Sequence, residues 1–405
     1  MSAVTPSARA RRLSNGASHA VGFFVLLGFG LASPVLPLLA GDLGLTAASI
    51  GAAVAAFAVG RLLFGLGSLF GLTDMRRLLH LGWLIGGCLL TAAAAVWCAL
   101  APDALQLITA RAVQGIGSAM AMLSASIRPF VGDDDDALGR RVGNQQTVFL
   151  LGTAIGPVFG GVLGQFAGLH APFWLTAALA LCGIPCGIYA HRLAPSSSGA
   201  VPPGGPPPGA RLLISAGGTL AVLGIIVIAN GIRSGFRTTL FPLWASDVLA
   251  MSETLIGVAM SVGALGFLSF ALVGRLVDRL GSAFVLAAGG VLLALSSALV
   301  LVVPAVWAAF ASMVLSTVGA SSTIVSASTI ILTSARGPQR LIAIRNQRVA
   351  TDAGMFLGPL LVGVSMGAWS TPGALIALTA GGAAVCAGAF AVRRSAHSTT
   401  QEQNT

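Results

Sequence analysis

Three charged side chains lie inside long apolar runs of the sequence, where a charge is energetically costly. Asp352 stands in RNQRVATDAGMFLGP, Arg61 in AFAVGRLLFG and Arg111 in LITARAVQGIGSA. In apolar surroundings such groups are neutralised, paired or used for function. A carboxylate that takes up and releases a proton changes its pairing, so we interpret Asp352, Arg61 and Arg111 as candidates for proton coupling or gating.

Arg111 has a second interpretation. It comes six residues into its apolar run, and roughly 9 Å along a helix is within the reach of an arginine side chain. The side chain could therefore snorkel to the outer interface, in which case Arg111 would have no role in coupling.

Small residues recur in the segment 143–161, which reads GNQQTVFLLGTAIGPVFGG. The recurring residues are Gly143, Gly152, Gly156, Pro157, Gly160 and Gly161. Small residues let helix backbones approach closely in lipid, and a proline kinks a helix. The segment therefore predicts a close helix contact, which serves either packing alone or transport.

The other reactive residue types form no catalytic or metal-binding set. The four carboxylates at 133–136 lack the spacing of a calcium loop and lie near arginines, which indicates a solvated charge run. The five cysteines lie in apolar runs and are interpreted as core residues. His19 and the other histidines fall at predicted helix ends or in tails. We predict no metal, no cofactor and no enzymatic activity.

Membrane spans are the elements that must position these residues. Of the 405 residues, 56% are hydrophobic and 8% are charged, against roughly 25% charged in soluble domains. A spanning helix takes about 20 residues, so the chain has room for about twelve. The apolar runs are long and unbroken, which favours helices over the short alternating strands of a barrel.

Twelve helices are predicted, at 19–40, 46–70, 78–100, 105–127, 142–165, 172–191, 212–245, 254–273, 283–303, 306–333, 346–369 and 372–392. The seventh range is too long for one straight span. Arginines follow every second helix and are absent from the alternate loops, so the positive-inside rule places both termini in the cytoplasm. This placement accounts for the net charge of +10 without a nucleic-acid partner.

The sequence is duplicated around a proline- and glycine-rich segment. Residues 195–209 read PSSSGAVPPGGPPPG, which can neither span lipid nor form a core. A constant offset of 202 residues relates the flanking parts, in the pairs Gly117/Gly319, Gly152/Gly354, Gly156/Gly358, Pro157/Pro359 and Gly161/Gly363. We predict an N-terminal six-helix bundle at 1–194, a cytoplasmic linker at 195–211, and a C-terminal six-helix bundle with its tail at 212–405.

With these motifs the chain resembles the major facilitator superfamily over nearly its whole length. The segment 143–161 has the full spacing of the family's antiporter signature, and LITARAVQGIGSA resembles its helix 4 motif with a buried arginine. The resemblance implies an all-α membrane protein with twelve helices in two pseudo-symmetric halves. We expect a monomer in the inner (cytoplasmic) cell membrane, with a small-molecule substrate, protons and the lipid bilayer as its partners.

A signature cytoplasmic loop of the family is matched after helix 8. The segment GRLVDRLGS, residues 274–282, supplies Asp278. Its counterpart after helix 2 is degraded to GLTDMRR, which keeps Asp74 but lacks one spacer residue and the second glycine. The resemblance implies a gating role for both aspartates, with Asp74 against the start of helix 11 when the inner side is closed.

The family places helices 1, 4, 7 and 10 around a central cavity. Candidate lining residues are therefore Phe29, Ser33, Gln114, Ser118, Asn230, Arg237, Ser316 and Ser322. If helix 7 ends near Trp244, Arg237 lies inside the membrane and can meet an anionic group. If helix 7 ends near Arg233, both arginines are outer-surface charges.

Asp352 has two candidate partners. Arg348 precedes it by one helical turn, a spacing that favours pairing, and such a pair would only hold helix 11 in place. The family arrangement sets helices 2 and 11 side by side, with Arg61 at a compatible depth. An Arg61–Asp352 contact would then close the inner side, and protonation of Asp352 would release it.

The sequence favours proton-coupled efflux of drugs or small lipophilic metabolites by alternating access, a function linked to drug resistance. A nutrient transporter of the same fold, for a sugar or an amino acid, is the alternative, and several fixed charges in the cavity would favour it. A membrane-embedded enzyme or receptor is a distant third, because no catalytic constellation is found at mid-membrane.

Overall fold

The structure is a computed structural model and describes residues 8–69, 80–127, 138–193, 217–266, 269–334 and 339–402. Over these residues the chain passes through twelve successive helices, as predicted. Those of the first half are α1 (Ala8–Asp42), α2 (Ala47–Leu69), α3 (Leu81–Leu100), α4 (Ala104–Ile127), α5 (Leu138–Ala167) and α6 (Ala171–Leu193).

The second half begins with α7, which is interrupted by a π-helical turn. Its helices are α7 (Gly217–Gly235, the π turn Phe236–Leu240 and Phe241–Asp247), α8 (Glu253–Leu265 and Ser269–Leu280), α9 (Ser282–Val302), α10 (Val306–Ser334), α11 (339–369) and α12 (371–402). Ser370 separates the last two helices, because its φ of 62° and ψ of 178° are not helical.

Most of these helices are suited to lipid. Among the described residues, eight helical stretches are long and apolar enough to cross a membrane. One of them, Val349–Ala391, has 43 residues and contains parts of both α11 and α12, so it has room for two spans of about 20 residues. Leu151–Ala167 and Glu253–Leu265 are apolar but shorter. The prediction of an all-α, multi-pass membrane protein is confirmed.

Several boundary predictions were wrong by more than one turn, and α11 begins at Gln339 rather than at 346. α1 begins at Ala8 rather than at 19, so His19 lies within a helix and not at its end. α8 continues to Leu280, so most of the predicted loop 274–282 is helical, and Gly281, with φ of 85°, makes the turn into α9. α12 extends to residue 402. Hydropathy locates the apolar part of a helix, whereas backbone hydrogen bonding continues into the polar turns that follow.

The helices are grouped into two compact units, Met1–Leu39 with Ala56–Pro208, and Ala40–Ala55 with Gly209–Thr405. In the first unit α3 packs on α4 and α6, and in the second α9 packs on α10 and α12. The predicted linker 195–211 lies outside the described residues, and the proposed domain limits stay a prediction.

Matching backbone contacts relate the two units. A Cβ on Gly117 of α4 would lie 3.0 Å from the carbonyl oxygen of Gly87 in α3. A Cβ on Gly319 of α10 would lie 2.9 Å from the carbonyl oxygen of Gly289 in α9. Both glycines of the second pair are 202 residues beyond those of the first. The duplicated sequence therefore builds a duplicated packing skeleton.

Candidate functional site

The glycines of the signature-like segment form the contact between α5 and α1. A Cβ on Gly152 would lie 2.9 Å from the Phe23 carbonyl oxygen, one on Gly156 would lie 2.6 Å from the Gly30 Cα, and one on Gly160 would overlap the Leu31 carbonyl oxygen. Real Cβ atoms essentially never make such short contacts. Any larger residue at these positions must separate the two helices.

The remaining members of the segment lie along the same helix. Pro157 and Gly161 are buried. Gly143 is in α5, and its surroundings fall outside the described side chains.

The equivalent contact in the second unit joins α11 to α7. A Cβ on Gly354 would lie 2.5 Å from the Val227 carbonyl oxygen, and one on Gly358 would overlap the Gly231 carbonyl oxygen. The position equivalent to Gly160 is Val362 instead of glycine. At this level the small residue is Gly235 of α7, where an added Cβ would lie 2.7 Å from Val362 Cγ2. Both units thus bring their first and fifth helices to backbone contact.

Arg111 of α4 is one of the largest fully buried side chains, with 2% of its surface exposed. Its guanidinium carbon lies 4.8 Å from the centroid of the Phe57 ring, and its Nη1 donates a hydrogen bond of 2.5 Å to Gln114 Oε1. Its Nε is buried and has no partner among the described residues. These contacts hold the guanidinium inside the first unit, and the alternative in which Arg111 snorkels to the outer interface stays a prediction.

Phe57 of α2 joins the charged and aromatic residues of the first unit. Its ring stacks on Phe29 of α1, with the centroids 5.0 Å apart and an angle of 29° between the planes. Arg61, one turn further along α2, has its guanidinium carbon 5.9 Å from the same ring and donates to Ser118 Oγ of α4 at 3.2 Å. The structure therefore brings Phe29, Arg61 and Arg111 around one ring, and Gln114 and Ser118 are hydrogen-bond partners of the two arginines.

Helix α7 holds two further arginines inside the second unit. α7 continues to Asp247, so the alternative in which it ends near Arg233 is wrong. Asn230 is fully buried and donates to the Ile226 carbonyl oxygen at 3.0 Å. Arg233 Nη2 donates to Asn230 Oδ1 at 3.5 Å. Arg233 Nε and Arg237 Nη1 are buried, with no partner among the described residues.

The candidate serines are buried, and two of them bond locally. Ser33 Oγ donates to the Gly30 carbonyl oxygen at 2.7 Å, and Ser322 Oγ donates to the Val318 carbonyl oxygen at 2.9 Å. Such bonds within one helix turn are ordinary for serine in a membrane helix. Ser316 is 2% exposed, and within the described part of the chain its Oγ has no partner.

The candidate gating carboxylates are less clustered. Asp352 is partly buried in α11, two residues before Gly354, and therefore on a different face from the α7 contact. Asp278 is exposed in the last turn of α8. Asp74 and the side chain of Arg348 lie outside the described residues, and the Arg348–Asp352 pair and the Arg61–Asp352 gate both stay predictions.

No metal centre is found among the described residues, where no group of three or more His, Cys, Asp or Glu could hold an ion. The cysteines there are free, and Cys88 and Cys98 are buried. His19, which the helix extends past, is partly buried and its Nε2 has no partner in the described part.

Sequence reasoning missed Phe57, the π turn and the role of Arg233 beside Arg237. The spacing of Phe57 and Arg61, one turn apart on α2, was visible in the sequence. Its link to Arg111 was not, because it depends on how α2 packs on α4. A π turn leaves no sequence signal, although the unusual length of the seventh apolar run was a sign of irregularity.

Comparisons with known proteins agree with this architecture. A family model described as Major Facilitator Superfamily matches residues 19–224. The synaptic vesicular amine transporter of Rattus norvegicus is 28% identical over 167 residues, which are 40% of this chain and 31% of that protein. The quinolone resistance protein NorA of Staphylococcus aureus is 29% identical over 164 residues, 39% of this chain and 40% of that protein. The aligned segments thus span well under half of these curated relatives.

Solved structures superpose over almost the whole chain. A bacterial homologue of the human lysosomal transporter Spinster, inward-facing and occupied, has a TM-score of 0.77 and 14% identity, covering 96% of this chain and 98% of that chain. The nucleoside transporter NupG has a TM-score of 0.74 and 14% identity, covering 94% and 98%. At these identities the likeness is one of fold.

Proposed function

The chain belongs to the major facilitator superfamily, and we propose that it exports drugs or small lipophilic metabolites in exchange for protons. Its fold and its relatives are those of membrane transporters and not of enzymes. Within that activity, the direction of transport, the coupling ion and the kind of substrate form our proposal. Similarity to a quinolone resistance protein and to amine transporters supports export of small organic molecules.

The buried Arg111 carries this proposal. An arginine inside a span costs up to the roughly 2.5–3.5 kcal/mol that insertion scales give for the centre of the bilayer, and a cation–π contact returns about 0.5–2 kcal/mol. A side chain that served packing alone would not need a charge. The equivalent residue in the second half, 202 positions later, is the uncharged Met313, which is buried with 1% of its surface exposed. We infer that the guanidinium exchanges partners during the transport cycle, using the donor at Nε that is unpartnered here.

Asp352 is our candidate for the proton-binding carboxylate. It is the acidic residue that the sequence places inside a span, and the helix that holds it packs on α7 through Gly354 and Gly358. Protonation would remove its charge and release an ion pair, with either Arg348 or Arg61, that restrains helix α11. Asp74, in the sequence that follows the second predicted helix, and Asp278, in the last turn of α8, are proposed to gate the inner side.

The proposed topology follows the predicted domains. Bundles at 1–194 and 212–405 would move against each other, joined by a cytoplasmic linker at 195–211, with both termini in the cytoplasm of an inner-membrane monomer. The substrate cavity would draw on residues of the first, fourth, seventh and tenth helices. The antiporter-like glycine stripe of α5 would keep α1 in contact with α5 as the bundles move.

Everted membrane vesicles test the proposal. Vesicles that contain the full chain are energised to acidify their interior, and lipophilic cations, neutral drugs and organic acids are added in turn. A substrate should trigger loss of the pH gradient, and the Arg111→Ala variant should not respond. The absence of a response to every compound would overturn proton-coupled export and favour the alternative of a nutrient transporter.

A further inference from the structure

Two guanidinium groups share one face of α7. Arg233 and Arg237 are four residues apart, so their side chains are neighbours on the helix. Like charges at this spacing repel each other. Each has a buried nitrogen with no hydrogen-bond partner, and within the described part of the second unit neither has a carboxylate partner. The pair is therefore a site of unsatisfied positive charge.

The backbone around Arg237 is also irregular. The π turn Phe236–Leu240 contains this residue, and such single turns recur at functional sites, because they are less favourable than regular helix. The Thr238 hydroxyl donates to the Ser234 carbonyl oxygen at 2.7 Å, but Thr239 Oγ1 is buried without a partner in the described region. Thr239 is two residues from Arg237 and therefore lies on a different face of the helix from the two cations.

Comparison with the first unit indicates that helix packing does not require the two charges. The α5–α1 and α11–α7 contacts pair Phe23 with Val227 and Leu31 with Gly235, both at an offset of 204 residues. The same offset pairs Arg233 with Phe29 and Arg237 with Ser33. The shared skeleton therefore accepts uncharged residues at both positions.

The depth of the pair excludes a lipid headgroup at the surface. Arg237 is ten residues from the end of α7 at Asp247, which is about 15 Å along the helix axis. The hydrocarbon core of a bilayer is about 30 Å thick. The anion that satisfies this pair must therefore enter the protein as a solute.

We propose that Arg233 and Arg237 form a subsite for the carboxylate of an organic acid. This inference rests on the proposed function and names its substrate class. Two guanidiniums match the acceptor oxygens of one carboxylate, and a bound anion relieves the repulsion between the arginines. Arg233 and Arg237 are both partly exposed, so a solute can reach them, whereas the neighbouring rings of Phe236 and Phe241 are fully buried. Lipophilic cations are repelled by the same charges.

Binding to the full chain in lipid nanodiscs tests the subsite. The probes are radiolabelled 2-naphthoate, its neutral isostere 2-naphthamide and the aliphatic acid octanoate, measured by equilibrium dialysis against empty nanodiscs. We expect at least one acid to bind and 2-naphthoate to bind about tenfold or more tightly than the amide, as charge-assisted hydrogen bonds predict. Arg233→Gln and Arg237→Gln should each lose that preference, and Arg237→Lys should keep part of it.

Arg275→Gln is the matched control, because Arg275 is an exposed arginine of the same half. It should bind 2-naphthoate like the native chain. Failure of both acids to bind, equal binding of naphthoate and naphthamide, or equal effects of Arg237→Gln and Arg275→Gln would overturn the subsite. Thermal unfolding checks that the variants are folded, and Arg237→Lys tests the charge should the glutamine variant unfold.

The vesicle experiment separates this inference from the proposed function. Acid binding in nanodiscs without any proton exchange in vesicles would keep the subsite and remove proton coupling. Proton exchange driven by cations alone, with no binding of acids, would keep the function and overturn the subsite.

Discussion

In the first half of the molecule Gly160 of α5 lies against Leu31 of α1, whereas in the second half Val362 of α11 lies against Gly235 of α7. In the second half the glycine is therefore on the first helix of the half and the larger residue is on the fifth, which is the reverse of the first half. At the other two levels of the stripe, the glycines stay on α5 and α11. The fold therefore requires two backbones to touch, and either helix can supply the missing side chain.

The charges of the two halves follow a different rule. Arg111 of α4 corresponds to Met313 of α10, and Arg233 of α7 corresponds to Phe29 of α1. Packing is therefore duplicated, but the cations are placed on different helices in each half. Function is located in specific sites and not in the fold, so we look for it where the repeat is broken.

The largest expected effect comes from blocking the backbone contacts that both halves share. Gly160→Leu and Gly358→Leu each place a side chain against a backbone carbonyl that cannot yield. We expect both variants to reach the membrane and to lose transport to background, because the first and fifth helices of that half are forced apart. Vesicle transport, normalised to protein in the membrane, measures this.

Gly224→Leu is the control for that comparison. Gly224 lies in α7 with no atom within 4 Å of the Cβ position, and leucine is favourable in lipid. Its transport should match the native chain. Normal activity of Gly160→Leu and Gly358→Leu would mean that the shared skeleton is incidental to transport.

The next effect concerns the charge that only the first half has on its fourth helix. Arg111→Ala should reduce active transport by about 100-fold, since both the charge and its contacts with Phe57 and Gln114 are lost. Arg111→Met copies the second half and should restore packing without restoring transport. Arg111→Lys should keep part of the activity, because it keeps the charge but not the planar fork. An active Arg111→Met variant would show that the asymmetry has no role.

Asp352→Asn is expected to have a narrower effect, on coupling alone. The substitution keeps the shape and removes the charge. We expect uphill export to fall by about tenfold and its dependence on pH to flatten, while exchange of substrate for substrate continues, because only the proton step is lost. A variant with an unchanged pH profile and native proton exchange would show that Asp352 is not the coupling carboxylate.

Much of the fold was predictable from the sequence, because hydropathy, arginine placement and the 202-residue repeat depend on the solvent and on gene duplication rather than on side-chain detail. The ends of α1 and α8 were missed, because polar helical turns extend past the apolar run. The site was partly predictable. A buried arginine is visible as a charge in an apolar run, and the register of α7 followed neither from length nor from composition.

Side-chain contacts between helices could not be predicted from the sequence. The ring of Phe57 joins Arg111 and Arg61 through packing of α2 on α4. The exchange of small and large residues between Gly160–Leu31 and Val362–Gly235 appears only when the contact pairs are known. An offset of 202 residues relates Gly160 to Val362, but it gives no reason to expect that Gly235 faces Val362 where Leu31 faces Gly160.

The smallest effect is expected when the third contact of the first half is rebuilt as it stands in the second. Gly160→Val alone sets a branched side chain against Leu31 and should lower transport by roughly tenfold. Adding Leu31→Gly copies the Val362–Gly235 arrangement. The double variant should return to within about threefold of the native transport rate, because the two substitutions are in contact and their effects are not additive. Leu31→Gly by itself is the matched control; it should cost about 1 kcal/mol of helix stability and leave a cavity, without blocking the helix approach.

Thermal unfolding checks that the double variant is folded. A folded double variant that is as inactive as Gly160→Val would show that the two contacts are not equivalent. The correspondence of Arg233 and Arg237 with Phe29 and Ser33 would then lose its support.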